Sequence, residues 1–327
     1  MTFGETDLRV NVYVPATSAN LGCGFDVFGL ALALYTEFSF DTEVSSQPGL
    51  QLEVVGEGAE LLRHEGCSLV YEAAQFYAQA MDVKLPPFKL TVNSQIPLGR
   101  GLGSSAAAIV GGLIGAAALI RQESWQSERE MLLRLATEIE GHPDNVAPAL
   151  MGGLVVAVNR VGTAQDVRPG LAKPIIISLP VPENLATVLF IPDFEMSTKA
   201  ARAVLPPTIP FGDAVHNMAR TGLFAAIFAA SDPPLELLAE AMADRLHQPY
   251  RTQIFPQLPK LITTAQAAGA WGAALSGAGS SVLALVDATR ADQVKQALEQ
   301  TAQSLGLPGR ATQLNIASSG TEATFNH

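Results

Sequence analysis

The chain has 327 residues, 48% of them apolar and 16% charged, with a formal net charge of −11. This length suffices for an ordinary core in two domains, and the negative charge argues against nucleic acid or an anionic membrane as a partner. The two cysteines, Cys23 and Cys67, are too few for a disulfide framework and are predicted to be free thiols. The first ten residues lack the basic and apolar regions of a signal peptide, which predicts a cytoplasmic protein.

The first half of the chain is predicted to mix strands and helices. Strands are expected near residues 8–14, 30–40, 50–55, 88–95 and 154–158, and helices near 68–82, 104–120 and 127–140. In the strand at 88–95, Phe88, Leu90 and Val92 fall on one face. The stretch from Ser104 to Ile120 has no charge, so it predicts a buried helix, short for a membrane span.

The second half begins with a polar connection at 161–173 and continues in the same mixed pattern. Strands are expected near 175–179, 186–191, 271–275, 281–286 and 311–317, and helices near 211–230, 234–245, 257–268 and 289–305. The polar tail after Ser318 is predicted to be frayed. Because strict βαβ alternation is missing, the α+β class is favoured over doubly wound α/β. We place the domains at 1–165 and 166–327.

A glycine-rich loop between the strand at 88–95 and the helix at 104–120 is the clearest functional signal. It consists of Pro97, Leu98, Gly99, Arg100, Gly101, Leu102, Gly103, Ser104, Ser105, Ala106 and Ala107. Glycines let the main chain approach an anion closely, and successive N–H groups can bind phosphate oxygens. The start of the following helix adds its positive end. The loop therefore predicts a phosphate site, with a helix N-cap and a metal ligand expected at the serine pair. A purely steric glycine turn is the alternative.

Two other nucleotide motifs fit less well. The chain has no Gly-Lys-Ser/Thr, which excludes a Walker A loop. Gly101, Gly103 and Ala106 match G-x-G-x-x-A, but a dinucleotide fold also needs a strand ending in an acidic residue about 20 positions later. Residues 121–140 are instead charged and predicted to be helical. A nicotinamide-dependent oxidoreductase therefore stays only as a weaker alternative.

The loop resembles the central ATP motif of the GHMP kinases. Two further blocks stand in the expected order, PATSANLG at 15–22 followed by Gly24, Phe25 and Asp26, and LSGAGSS at 275–281. The resemblance covers about residues 8–317. It implies a ribosomal-S5-like N-terminal domain that binds ATP and a ferredoxin-like C-terminal domain that completes the substrate cleft. The segments PATSANLGCGFDVFG, EGHPDNVAPALMGG and HQPYR most resemble members that phosphorylate L-homoserine, a step toward threonine.

Phosphoryl transfer also needs a metal, and Mg²⁺ prefers few protein ligands, all of them oxygens. The resemblance implies Ser105 and Glu140 as these ligands. Glu138 competes with Glu140, but the two side chains point about 200° apart on a helix, so only one can face the cleft. The other would be a solvated surface carboxylate.

The substrate residues are implied by the same resemblance. They are Asn20, Asp26, His142, Asn145, Arg202 and Arg251 for substrate binding, with Thr198, Arg202 and Asn145 in catalysis. Asp suits an ammonium group, and an arginine pair suits a carboxylate. Asn20 and Asp26 could instead be turn formers, the arginines could lie on the surface, and a lone His is more often structural. Asp144 is expected to cap a helix at 146–150.

Asn145 stands where other GHMP kinases carry an aspartate base, and an amide cannot accept the proton. This implies direct attack of the substrate hydroxyl on the γ-phosphorus, with positioning and charge neutralisation supplying the rate. Residues 68–71 are a weak candidate for the adenine contact. The SGAGSS turn either lines the cleft and steadies the loop or has no ligand contact.

Three other functions stay open at this point. They are a mevalonate-type GHMP kinase, the nicotinamide-dependent oxidoreductase and a non-catalytic sensor of small molecules. A mevalonate-type enzyme would lack the paired Arg202 and Arg251 and would carry an aspartate base. The oligomeric state is open, with a homodimer as one possibility.

Overall fold

A computed structural model describes residues 8–42, 51–57, 67–160 and 173–326. The predicted polar connection at 161–173 lies outside these residues except for its last position, and the side chains of Cys67 and Ser68 are also outside. Cys23 is a buried free thiol, as predicted, and burial raises its pKa to about 12.

Eleven strands and ten α-helices are formed by the described residues. The strands are β1 (Arg9–Ala19), β2 (Phe28–Asp41), β3 (Gln51–Gly56), β4 (Lys89–Ser94), β5 (Leu154–Val158), β6 (Ile175–Leu179), β7 (Leu185–Pro192), β8 (Gly272–Leu275), β9 (Val282–Asp287), β10 (Gly309–Leu314) and β11 (Glu322–Asn326). The helices are α1 (Cys67–Ala80), α2 (Ser104–Arg121), α3 (Arg129–Glu140), α4 (Pro143–Met151), α5 (Thr198–Ala203), α6 (Phe211–Ala229), α7 (Leu238–Ala241), α8 (Gln248–Arg251), α9 (Leu258–Ala267) and α10 (Ala291–Ser304). Short 3-10 turns cover Gln122–Glu128, Leu235–Leu237 and Ala288–Arg290.

The strands form two sheets. The larger sheet has the order β11-β1-β2-β4-β3, with β5 paired to β2 and β6 paired to β5, and the smaller has the order β10-β7-β9-β8. Among the strands that the structure describes, β3 and β4 pair in parallel and the other pairs are antiparallel. This mixed, mostly antiparallel arrangement is the α+β architecture predicted from the pattern.

Helix α2 is the centre of the larger core. Its residues from Ala106 to Leu119 are buried, as its uncharged sequence predicts. Its glycines allow close packing on both sides, since an added Cβ at Gly115 would lie 2.2 Å from the ring of Phe40 in β2, and one at Gly112 would lie 2.2 Å from the carbonyl oxygen of Val70 in α1. The helical stretch Ser104–Glu140 is long and apolar enough to cross a membrane, but 78% of its most apolar window is buried inside the protein.

Two predictions about the second half are wrong. The tail after Ser318 is not frayed, because β11 pairs with β1 from Tyr13↔Glu322 to Arg9↔Asn326. In this edge strand Ala323 and Phe325 pack against the larger core and the alternating polar residues are exposed, so main-chain pairing and this packing both hold it in place. The predicted helix at 234–245 is broken into a 3-10 turn and the short α7. The Asp244 carboxylate accepts the N–H groups of residues 246–248, which turns the chain away from a helix.

The C-terminal half contributes to both cores. Strands β6 and β11 belong to the larger sheet, and Phe224 of α6 packs against Phe28 with ring centroids 4.5 Å apart. A second core, which includes Phe190, Phe255 and Leu261, lies around the smaller sheet. The domain division at residue 165 stays a prediction.

Candidate active site

The three sequence blocks meet at one place. At the end of β1, the Thr17 N–H donates to the carbonyl of Leu102 in the loop at 3.1 Å. From the C-terminal turn, the Ser276 hydroxyl donates to the Gly101 carbonyl at 2.6 Å, and the Gly277 N–H donates to the carbonyl of Ala19 at 3.0 Å. The turn at 276–281 therefore steadies the glycine-rich loop and ties it to β1. This agrees with the first of the two interpretations given for the SGAGSS turn.

Two glycines of the loop are required by packing within the protein. Gly101 and Gly103 both have φ near +71°. An added Cβ would lie 2.1 Å from the Ser276 carbonyl oxygen at the first position and 1.9 Å from the Thr17 hydroxyl at the second. Steric packing therefore explains why glycine is needed at these two positions, although the loop also borders a cavity. The N-cap of α2 is Gly103 and not a serine, because a left-handed residue joins the loop to the helix.

A cavity of about 150 Å³ lies between the loop and the C-terminal half. Its walls include Asn20, Phe25, Asp26, Gly99, Gly101, Gly103, Ser104, Ser105, Glu140, His142, Asp144, Asn145, Met196, Ser197, Thr198, Arg202, Arg251, Gly277, Ala278 and Gly279. All the predicted metal, substrate and catalytic residues are thus brought together. Of the predicted ATP-binding residues, Pro97, Leu98, Arg100, Leu102, Ala106 and Ala107 are not in this lining. Arg100 instead donates to the Asp193 carbonyl at 2.5 Å and pairs with Glu195.

The predicted metal ligands are neighbours at one end of the cavity. The Ser105 hydroxyl donates to the Glu140 carboxylate, with oxygen–oxygen distances of 3.1 and 3.4 Å. Burial raises the pKa of Glu140, although the nearby His142 and the Ser105 hydroxyl partly offset this. Glu138 is exposed on the opposite side of α3. Serine and carboxylate oxygens are hard ligands of the kind Mg²⁺ takes, so the pair fits the ion.

Charged groups of both signs also line the cavity. Arg202 donates to both carboxylate oxygens of Asp26, at 2.7 and 3.1 Å. The two groups expected to take the substrate's carboxylate and ammonium are therefore paired with each other. Asn20 uses its amide to shape this turn, since its oxygen accepts the Asp26 N–H at 3.0 Å and its nitrogen donates to the Gly277 carbonyl at 2.9 Å.

Arg251 is not on the surface. The residue is only 2% exposed, and its guanidinium donates to Gly277, Ala201 and His247. Burial, followed by the charge of Arg202, lowers the pKa of Arg251 to about 10, so the group stays charged at neutral pH. It supplies positive charge to a protein with a net charge of −11.

Asp144 does not cap helix α4. The N-cap is His142, Pro143 is the first helical residue, and Asp144 lies inside the first turn with its carboxylate 2.5 Å from His142 Nδ1. Burial disfavours the imidazolium, but the hydrogen bond and charge of Asp144 outweigh it and raise the pKa of His142. One ligand atom each of Asp26, His142 and Asp144 lies within 4.8 Å of the others, which holds His142 among acidic groups.

The Asp144→Asn substitution is expected to lower the pKa of His142, because the amide removes the negative charge beside the imidazolium. A histidine whose folded pKa is raised stabilises the fold below its unfolded pKa, and this is lost as the pH rises through the folded pKa. The substitution should therefore reduce stability more at pH 5 than at pH 8. The pKa can be followed by NMR titration, with His142→Asn to assign the signal. An unchanged pKa would contradict the pairing.

Thr17 is the residue that the sequence reasoning missed. Its hydroxyl, fully buried, donates to the Asn145 side-chain oxygen at 2.8 Å. Among the described residues, the Asn145 amide nitrogen takes no partner, and it borders the cavity. The two adjacent buried hydroxyl residues Thr17 and Ser18 at the end of β1 were the available signal, but the partner of Thr17 is 128 positions away.

Two family models match this chain. The GHMP kinases N terminal domain matches residues 68–153 and the GHMP kinases C terminal domain matches residues 223–303. The chain belongs to the GHMP kinase family, a class of small-molecule kinases. The predicted two-domain GHMP kinase fold is thereby confirmed.

Relatives that resemble this chain over nearly its whole length include homoserine kinases. The homoserine kinase of Synechococcus sp. is 44% identical over 96% of this chain and 98% of its own length. The homoserine kinase of Carboxydothermus hydrogenoformans is also 44% identical, over 91% of each protein. The crystal structure of homoserine kinase from Cytophaga hutchinsonii has a TM-score of 0.80 at 27% identity and covers 99% of this chain and 100% of that one.

Proposed function

We propose that this protein transfers the γ-phosphoryl group of ATP to the side-chain hydroxyl of L-homoserine, giving O-phospho-L-homoserine and ADP. The observation that carries the proposal is the cavity that joins the glycine-rich loop to a pocket with both carboxylate and guanidinium charge. The identity to homoserine kinases over nearly the whole chain supports it. The reaction would be a cytoplasmic step toward threonine.

The loop end of the cavity is suited to the triphosphate. The first N–H groups of α2 have no partner within the helix and carry its positive end, and the loop backbone that precedes them is held by Ser276. Ser105 and Glu140 would hold Mg²⁺ beside these groups. Bound Mg²⁺ supplies charge neutralisation on the phosphate oxygens.

The opposite end is suited to an α-amino acid. A substrate ammonium can take the place of Arg202 at the Asp26 carboxylate, while its carboxylate takes the guanidinium groups of Arg202 and Arg251. The exchange replaces one ion pair by two and keeps the charges compensated. A neutral sugar or a hydroxy acid without an ammonium cannot make both contacts, which favours an amino acid over mevalonate.

The hydroxyl would attack without a dedicated protein base. The resemblance implies that Asn145 occupies the sequence position of the aspartate base of other family members, and its side-chain oxygen accepts the Thr17 hydroxyl. Thr198 and Arg202 border the same space and would orient the hydroxyl and stabilise the transferring phosphoryl group. A loose transition state needs little early deprotonation, so alignment and charge supply the rate.

The test is ADP release with L-homoserine compared with mevalonate, galactose, L-serine and L-threonine. We expect kcat/KM for L-homoserine to exceed each of the others by at least about a hundredfold. Mevalonate and galactose would leave buried charges unpaired, whereas L-serine and L-threonine would pair them but carry the hydroxyl one carbon too close to Cα for alignment with the γ-phosphate. Faster turnover of mevalonate than of L-homoserine would indicate a mevalonate-type GHMP kinase instead. Binding of NAD without ATP would favour the oxidoreductase reading.

A further inference from the structure

His247 joins the substrate end of the cavity to the turn after β1 from a fully buried position. Its Nε2 lies 2.8 Å from the carbonyl oxygen of Gly22, and its Nδ1 lies 3.0 Å from Nη1 of Arg251. An arginine can only donate and a carbonyl can only accept. The proton of a neutral ring is therefore on Nε2, which donates to Gly22, and Nδ1 accepts from Arg251.

The surroundings keep this imidazole neutral. Burial lowers the pKa of His247 to about 4, with the Asp244 charge opposing and the Arg251 charge assisting the effect. The Asp244 carboxylate is already occupied, since Asn217 and the N–H groups of residues 246–248 donate to it. The ring therefore keeps its acceptor at Nδ1 throughout the neutral pH range.

The other contacts of Arg251 leave one side of its guanidinium for a ligand. Nη1 also donates to the Gly277 carbonyl at 2.9 Å, and Nε donates to the Ala201 carbonyl at 3.3 Å. Within the part of the chain that the structure describes, Nη2 has no hydrogen-bond partner and no carboxylate lies within ion-pair distance of Arg251. The residue borders the cavity, so this free nitrogen is the one available to a substrate carboxylate.

Phe25 completes the arrangement from the opposite side. Its ring is stacked on His247 with centroids 5.2 Å apart, and the guanidinium carbons of Arg202 and Arg251 lie 5.3 and 5.5 Å from its centroid. An aromatic face attracts such cations and reduces the cost of holding two of them close together. The aromatic and imidazole rings thus fix both guanidinium groups relative to the turn that carries Asp26.

We propose that His247 is a positioning residue that orients Arg251 toward the substrate carboxylate through the acceptor at Nδ1. This inference rests on the proposed function, because it assigns the carboxylate of an α-amino acid to Arg251. A residue that only filled space or anchored the turn would need the Nε2 bond to Gly22 and not the Nδ1 acceptor. The two nitrogen atoms therefore separate the positioning role from a structural one.

A pair of substitutions tests each nitrogen separately. In His247→Asn the amide oxygen can stand near Nδ1 and accept from Arg251, while the bond to Gly22 is lost. In His247→Gln the amide nitrogen can reach Gly22, while the acceptor for Arg251 is lost. We expect H247Q to raise KM for L-homoserine about 10- to 100-fold, the effect of one lost hydrogen bond to a charged group. We expect H247N to stay within about fivefold, and kcat and KM for ATP to change little in either.

An analogue without the carboxylate gives a readout that a structural role would not change. Wild-type enzyme should prefer L-homoserine to 3-amino-1-propanol in kcat/KM, and H247Q should reduce this preference at least about tenfold while H247N retains most of it. Equal effects of the two substitutions, or an unchanged preference in H247Q, would overturn the inference. Thermal unfolding and ATP affinity of each variant serve as controls for folding.

Wild-type protein provides a measurement that does not depend on the variants folding. A long-range ¹H–¹⁵N spectrum should contain one histidine that does not titrate between pH 5 and 8 and is protonated on Nε2. Its Nδ1 signal should shift when L-homoserine is added but not when 3-amino-1-propanol is added. A proton on Nδ1, or the same response to both compounds, contradicts the positioning role. If wild-type enzyme has no activity with L-homoserine, the proposed function fails instead.

Discussion

Replacing Glu140 by glutamine is expected to reduce kcat about a thousandfold while the protein stays folded. The carboxylate lies beside the Ser105 hydroxyl at the loop end of the cavity, where it would hold Mg²⁺. Glutamine keeps the size and the hydrogen bond but removes the negative charge that the cation needs. A loss of about 4 kcal/mol of transition-state stabilisation corresponds to a thousandfold in rate.

The same substitution should increase stability in the absence of metal and nucleotide. Burial raises the pKa of Glu140, so the contribution of this group is favourable below its unfolded pKa and is lost as the pH rises through its folded pKa. At pH 7 the charged carboxylate therefore disfavours the folded state, and an uncharged amide removes this cost. We expect E140Q to have a higher unfolding temperature than wild type at pH 7, with a smaller difference at pH 4.

Glu138→Gln is the matched control. Glu138 is on the same helix, two positions away, but it is exposed. Its substitution should leave kcat, the Mg²⁺ requirement and the unfolding temperature nearly unchanged. Steady-state kinetics across a Mg²⁺ titration and thermal unfolding at both pH values measure these effects. Equal losses of kcat in the two variants would show that Glu140 is not a ligand of Mg²⁺.

The second large effect is expected at Gly101. A Gly101→Ala substitution should lower the free energy of unfolding by about 2–5 kcal/mol, the sum of the left-handed backbone penalty and an overpacked contact. The new Cβ would lie 2.1 Å from the Ser276 carbonyl oxygen and 2.8 Å from Gly279. The loop and the turn at 276–281 must then separate, so we also expect ATP affinity to fall at least about tenfold.

Gly153→Ala is the control that separates the left-handed backbone penalty from the overpacked contact. Gly153 has φ +67°, close to the +71° of Gly101, but an added Cβ there meets nothing within 4 Å. This control therefore carries the backbone penalty of about 1–2 kcal/mol without the clash, and its ATP affinity should stay near that of wild type. Chemical denaturation and nucleotide titration measure both quantities. Equal destabilisation of the two variants would show that the close approach to Ser276 contributes nothing.

Local sequence patterns predicted the parts of the fold that depend on short-range preferences. The uncharged stretch after the loop predicts the buried helix α2, and the alternation of Phe88, Leu90 and Val92 predicts the buried face of β4. The tail strand β11 escaped prediction because its apolar face consists of only two residues, Ala323 and Phe325, and so short an alternation is a weak strand signal. The broken helix at 234–245 escaped because a single carboxylate, that of Asp244, redirects the backbone there.

The site divides in the same way. The chemistry of the site can be predicted from local features, because glycines, a serine pair and spaced charges are what phosphate and amino-acid binding require. The partners of these residues become known from the folded chain: Asp26 pairs with Arg202, Thr17 pairs with Asn145, and His247 lies between Gly22 and Arg251. The partners in the Thr17–Asn145, Asp26–Arg202 and Gly22–His247 contacts are 128 to 225 positions apart in the sequence. Whether such distant residues meet depends on how both sheets pack, which no local pattern encodes.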